Sequence, residues 1–223
     1  MASLVILVVA TGSAVVVATT GANGNDPVRA RVVVVGDSLV VGSESQLSAA
    51  FAADRIDSRF IAVGGTGLLT DQGVRVTELD QMLDQSPADL VIIESCCNYD
   101  GTFRTVDGHV VAPDTDELWA AWADQSQRIV DVATRHGARV AVVLTPRAIP
   151  GTWFGGLQDR ITHFNDIYRG LGVPLIDWDT ALYPDGTVAG REDLRMPDGL
   201  HLSAAGAELV AATTGKAVVG LVG

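Results

Sequence analysis

Five short apolar runs punctuate this chain, at Arg31–Val35, Arg59–Val63, Leu90–Glu94, Arg139–Leu144 and Pro174–Asp177. Each is too short for a buried helix, and most are near-continuous in Val, Ile and Leu, as strands covered on both faces are. Between them lie stretches of helical character. Ser43–Ala53 follows the first run. Asp71–Gln85 sets Val74, Leu79, Met82 and Leu83 at roughly helical spacing. Asp116–His136 opens on acidic residues and stops before Gly137, a suitable C-cap. Leu157–Leu171 and Ser203–Val219 complete the set, the latter with Ser203 as N-cap. Strand–helix alternation of this kind predicts an α/β domain: a five-stranded parallel sheet between two layers of helices. The 223 residues are enough for one such domain with a sizeable core.

In parallel α/β folds, sites gather at the carboxyl ends of the strands. Ser38 follows the first strand, Gly67 the second and Asn98 the third, while Asp198 and His201 follow the last after a loop. Fold topology alone therefore brings these residues to one edge of the sheet. The chemistry of the set is specific. A serine hydroxyl is a poor nucleophile until a histidine takes its proton. The histidine in turn needs a carboxylate to fix its tautomer and stabilise the imidazolium. Asp198 and His201 lie three residues apart, so one turn of backbone can hold them side by side. Each residue also has a plainer reading: Ser38 as a helix cap, Asp198 as a turn residue before Gly199, His201 as a surface side chain, Asn98 as a loop cap. Asp37 is expected to order its own loop through local hydrogen bonds.

On these residues the chain resembles the SGNH hydrolases, the GDSL esterase/lipase family. Gly36-Asp37-Ser38-Leu39 matches the first block letter for letter, and Asp198-Gly199-Leu200-His201 matches the last. Ala62-Val63-Gly64-Gly65-Thr66-Gly67 supplies a glycine for the second block. The third block, normally Gly-x-Asn-Asp, reads Cys96-Cys97-Asn98-Tyr99, keeping only the asparagine. The resemblance covers roughly residues 30–215. It implies a flavodoxin-like SGNH hydrolase fold and a serine carboxylic ester hydrolase that needs no cofactor and no metal. Ser38, Asp198 and His201 would be the catalytic set. The N–H groups of Ser38 and Gly67 and the side-chain amide of Asn98 would form the oxyanion hole, with Gly65 the competing choice for Gly67. The expected substrate is a small-molecule or glycan ester, such as an O-acetyl group on a cell-surface glycan. An O-acyltransferase module and a non-catalytic glycan-binding relic are the alternatives. Cys96 and Tyr99 put the geometry of the third block in question.

Net charge is −12, from 15 basic and 27 acidic residues, which argues against nucleic acid or an anionic membrane surface as a partner. The adjacent Cys96 and Cys97 cannot staple distant segments and are too few for a structural zinc site. They read as buried packing groups, with a nucleophilic role for either as the remote alternative. Residues Ser3 to Ala22 carry no charge and read as a signal peptide or membrane anchor. The first basic residue is Arg29, so no basic segment precedes this stretch, and a last span of a longer membrane protein is a third reading. The resulting division is residues 1–22 as that segment, 23–29 as a polar linker and 30–223 as the hydrolase-like domain. The expected location is secreted or membrane-anchored, outside the cytoplasm. The loop 145–154, rich in Pro and aromatic residues, could wall an acyl or sugar site.

Overall fold

The computed structural model of the chain describes residues 27–70, 73–98, 103–104 and 108–223. The expected N-terminal apolar segment, the linker as far as Asp26, and Tyr99 lie outside the described residues.

Among the described residues the strands are β1 (Ala30–Gly36), β2 (Ile56–Ala62), β3 (Leu90–Ile93), β4 (Phe103–Arg104), β5 (Val110–Val111), β6 (Arg139–Leu144) and β7 (Leu175–Asp177). The α-helices among the described residues are α1 (Ser38–Ala53), α2 (Val74–Gln85), α3 (Asp116–Arg135), α4 (Gln158–Gly170), α5 (Trp178–Leu182) and α6 (Ala204–Val222). β1, β2, β3, β6 and β7 form one parallel sheet in the order β2-β1-β3-β6-β7. Its chain order is the 2-1-3-4-5 of flavodoxin-like sheets, with the strand order reversing between β1 and β3. α1, α5 and α6 pack together in one layer, and α2, α3 and α4 in the other. Right-handed crossovers put the two sets on opposite faces of the sheet. The three-layer expectation holds.

The central strands are apolar because both faces are covered. Val32, Val33, Val35, Leu90, Val91, Ile93, Ala141 and Val142 are all fully buried. β2 begins three residues before the apolar run that marks it. It is an edge strand, and Ile56 pairs with Ala30 while Asp57 and Ser58 interrupt the hydrophobic signal. α1 begins five residues earlier than its apolar pattern suggests, because the Asp37 carboxylate caps it by accepting from the Leu39 N–H (2.9 Å). Gly36 allows this abrupt strand-to-helix turn, since a Cβ there would overlap the Val40 side chain. α5 and the small antiparallel β4–β5 hairpin leave no periodic signal and are not expected from sequence. α6 is long and apolar enough to span a membrane, but its face carrying Ala207, Val210, Ala211 and Val218 is buried in the domain.

Candidate active site

Ser38 is the first residue of α1, directly after β1. Its N–H is one of the donors that a helix start leaves without an intrahelical acceptor, and it lies at the positive end of the helix dipole. His201 and Asp198 sit on the segment between β7 and α6. Ser38 Oγ lies 2.9 Å from His201 Nε2, and His201 Nδ1 lies 2.8 Å from Asp198 Oδ2. The three expected residues thus form one chain of hydrogen bonds, hydroxyl to imidazole to carboxylate. Partial burial opposes ionisation of Asp198. The N–H of Leu200, the imidazole and the N–H of His201 outweigh it and hold the carboxyl below its ordinary value. Among the other histidines, His136 pairs with Asp80 (2.6 Å) and His163 stacks on Trp119.

The segment carrying Asp198 and His201 is held by a residue that the motif does not contain. Arg195 is buried and donates to the carbonyls of Leu200 and Arg147 and to Tyr183 Oη. Its backbone pairs with Leu202 as a single antiparallel bridge, and Met196 N–H donates to the His201 carbonyl (2.8 Å). The 145–157 loop closes the same segment from the other side. Ile149 N–H donates to Gly199 O, Phe154 N–H donates to Asp198 O, and the Phe154 ring stands edge-on to the imidazole at 6.0 Å between centroids. The aromatic loop therefore does wall the site, and it presents Trp153 with 86% of its surface exposed.

The expected oxyanion donors are only partly free. Asn98 Nδ2 donates to Thr66 O (3.2 Å), Asp37 Oδ2 (3.4 Å) and Cys96 O (3.5 Å), all at the long end of hydrogen bonding. Gly67 departs from expectation: its N–H is taken by Thr70 Oγ1 (2.7 Å). Its glycine identity is nonetheless required, since a Cβ would come within 2.9 Å of Asn98 O and 3.1 Å of the Trp122 ring. Gly64 is the second-block glycine nearest the serine, a Cβ there lying 3.8 Å from Ser38 Cβ. Gly65 takes a left-handed conformation with open space around it.

Beneath Ser38 lies a buried polar layer that sequence reading missed. Asp37, beyond capping α1, accepts from Cys96 N–H (2.7 Å), tying the first block to the third. Its carboxyl is pushed up by burial, a shift the Cys96 and Leu39 N–H groups only partly offset. Glu94, at the end of β3, is fully buried and accepts from Asp37 N–H at 3.4 Å. Burial, and then the neighbouring Asp37, push the Glu94 carboxyl well above its ordinary value, favouring its neutral form. The buried Arg75 guanidinium donates to Thr66 Oγ1 and to Thr66 O (3.2 Å), and its charge favours ionisation of both carboxyls. An acid closing a strand as apolar as Leu-Val-Ile-Ile was the available signal for Glu94. From the opposite face, Trp122 Nε1 donates to Tyr168 Oη (3.2 Å), which donates to Ser95 O and anchors the start of the third block.

Glu94 yields a stability prediction. Its folded pKa is raised, so its favourable contribution is complete below the unfolded value near 4.5 and is lost as pH rises toward the folded value. Glu94→Gln keeps the size and the acceptor of the side chain and removes the ionisation. The Tm advantage of this variant over the wild type should therefore grow as pH rises from about 4.5 to 8. A difference independent of pH across thermal melts would show that Glu94 ionises in the native state.

The two cysteines are bonded to each other: Cys96 and Cys97 form a disulfide between neighbouring residues. They are buried, as expected, but they are not thiols, which removes either as a nucleophile. Asp37, Glu94 and Cys96 place metal-ligand atom types within 4.8 Å of one another, but the sulfur is held in the disulfide and offers no thiolate.

A family model described as a protein of unknown function, DUF459, matches residues 31–217. The chain belongs to the DUF459 family. No curated protein matches it. Among solved structures, a DUF459 chain with this fold is similar to a lipase/acylhydrolase from Enterococcus faecalis (TM-score 0.64, 19% identity, 85% of this chain and 95% of that one). It is also similar to a carbohydrate acetylesterase from Sinorhizobium meliloti (TM-score 0.62, 20% identity, 86% and 99%). A third is the C-terminal catalytic domain of a peptidoglycan O-acetyltransferase from Streptococcus pneumoniae (TM-score 0.57, 15% identity, 85% and 93%). These likenesses show that this DUF459 protein has the SGNH hydrolase fold.

Proposed function

We propose that this protein is a serine esterase that removes acyl groups, with O-acetyl groups on glycans as the substrate class. The observation that carries the reading is the unbroken chain from Ser38 Oγ through His201 to Asp198 at 2.9 and 2.8 Å. In this mechanism His201 Nε2 takes the Ser38 proton as Oγ attacks the ester carbonyl, and Asp198 stabilises the imidazolium. The proton then goes to the leaving alkoxide, leaving an acyl-Ser38 ester. Water, deprotonated by the same imidazole, releases the acid. The oxyanion is met by the Ser38 N–H and the Asn98 amide. A negative oxygen outcompetes the long contacts that the amide makes in the free site, because charge-assisted hydrogen bonds are about twice as strong. Gly67 joins them if Thr70 Oγ1 gives up its N–H.

A glycan substrate is supported by the exposed Trp153, next in sequence to Phe154 and with a flat apolar face that suits a sugar ring, and by the fold shared with the carbohydrate acetylesterase. The acyltransferase fold-relative keeps a sugar hydroxyl as the rival acceptor to water. The test is turnover of p-nitrophenyl acetate and of an acetylated oligosaccharide, with a fluorophosphonate adduct mapped by mass spectrometry. The adduct is expected on Ser38. Trp153→Ala should raise KM for the oligosaccharide several-fold and leave p-nitrophenyl acetate unchanged. An adduct elsewhere with Ser38 clean would overturn the serine mechanism. Acetyl transfer to added oligosaccharide that outpaces hydrolysis would favour the acyltransferase reading.

A further inference from the structure

We infer that the Cys96–Cys97 disulfide is a clamp that holds the oxyanion loop in its working conformation. This inference rests on the esterase reading above. Cys97 sits at the centre of a three-residue turn, closed by Asn98 N–H donating to Cys96 O at 2.7 Å. Its φ is +64°, in the left-handed region. A turn of this kind with positive φ is the rare, strained hand of the γ-turn. For a residue other than glycine the left-handed region is disfavoured about tenfold or more.

The turn fixes two groups of the site. On one side it presents Cys96 N–H to Asp37 Oδ2 (2.7 Å), next to the nucleophile. On the other it sets the direction of Asn98, whose amide reaches toward Thr66 and Asp37. Joining the sulfurs of residues 96 and 97 closes a small covalent ring around the peptide bond between them. That ring contains the N–Cα bond of Cys97, so the disulfide resists relaxation of φ from +64° toward the negative values that an unlinked side chain prefers. The bond spans no loop of chain, so it removes almost no entropy from the unfolded state. Its effect falls instead on the local geometry of the native turn. Both sulfurs are shielded, with Cys96 at 1% and Cys97 at 7% exposure, which keeps the ring from thiol exchange. The clamp makes Cys96 and Cys97 positioning residues, acting on the reaction through Asn98.

The experiment compares the wild type with two double variants, Cys96→Ser/Cys97→Ser and Cys96→Ser/Cys97→Gly. Alkylation of the denatured wild type without reductant must leave both residues unlabelled; labelling of both means the bond is absent and overturns the clamp. The double-serine protein should lose about tenfold in kcat on p-nitrophenyl acetate, with KM within about twofold, because only the transition state uses the aligned amide. Its rate of fluorophosphonate addition to Ser38 should fall in parallel. Glycine adopts positive φ without penalty, so the Cys96→Ser/Cys97→Gly protein should recover most of the lost kcat without any disulfide. Packing alone would give the reverse order, since glycine removes more buried contact than serine. Wild-type kcat in the double-serine protein, or no recovery with glycine, would overturn the clamp. If instead wild-type Ser38 fails to react with fluorophosphonate, the esterase reading itself fails.

Discussion

Replacing Ser38 by alanine should lower kcat for ester hydrolysis by about 10⁴- to 10⁶-fold while leaving the fold intact. In the proposed mechanism Oγ forms the acyl bond, and this substitution removes it. The two cysteine sulfurs nearby are joined in a disulfide and offer no thiolate. The fold survives because α1 does not depend on the Ser38 side chain. Its cap is the Asp37 carboxylate bonded to the Leu39 N–H, and the Ser38 hydroxyl is engaged with His201. Tm within a few degrees of wild type, together with collapse of kcat, is the expected pair of measurements. His201→Ala should cost about as much, and the two together little more than either, since residues of one proton-transfer unit are not additive. Residual activity of several per cent in Ser38→Ala would place the nucleophile elsewhere.

Asn98→Ala should lower kcat by roughly 100-fold or more, with KM changed by less than about 5-fold. The amide gains most when the carbonyl oxygen turns negative, so its loss is felt in the transition state. In the resting site Nδ2 makes three contacts of 3.2 to 3.5 Å, none of them short enough to dominate. Truncation leaves Cys96 N–H on Asp37 and Tyr168 on Ser95, so the third block keeps its anchors. Steady-state kinetics on p-nitrophenyl acetate, with circular dichroism as a fold control, makes the check. Wild-type kcat in Asn98→Ala would mean that the oxyanion is met by backbone N–H groups alone.

How much of the site is legible in the sequence depends on how local each interaction is. Asp198 and His201 are readable as a pair because three residues of backbone bring them together, and Ser38 because a strand end followed by a helix start exposes it. Asn98 is readable as the surviving letter of its block. Gly67 shows the limit: a glycine in the right block can be kept for close approach to Asn98 and Trp122 while its N–H goes to Thr70. Arg195 lies only six residues from His201, yet what it does there depends on Tyr183 and Arg147, which no local pattern connects to it.

Alternation of buried apolar runs with helical segments was enough to set the layered α/β architecture, since strands covered on both faces cannot be polar. The tertiary structure alone decided the layer under Ser38. Glu94 is one more residue at the end of β3 until the pairing of β1 with β3 brings it against Asp37 and excludes water, and that exclusion is the main reason its carboxyl is pushed well above the ordinary value. The bond between Cys96 and Cys97 is of the same kind. Two adjacent cysteines specify nothing by themselves. Only the turn between β3 and Asn98, where Tyr168 holds Ser95 O and Asp37 holds the Cys96 N–H, brings the two sulfurs together, with Cys97 in a left-handed conformation.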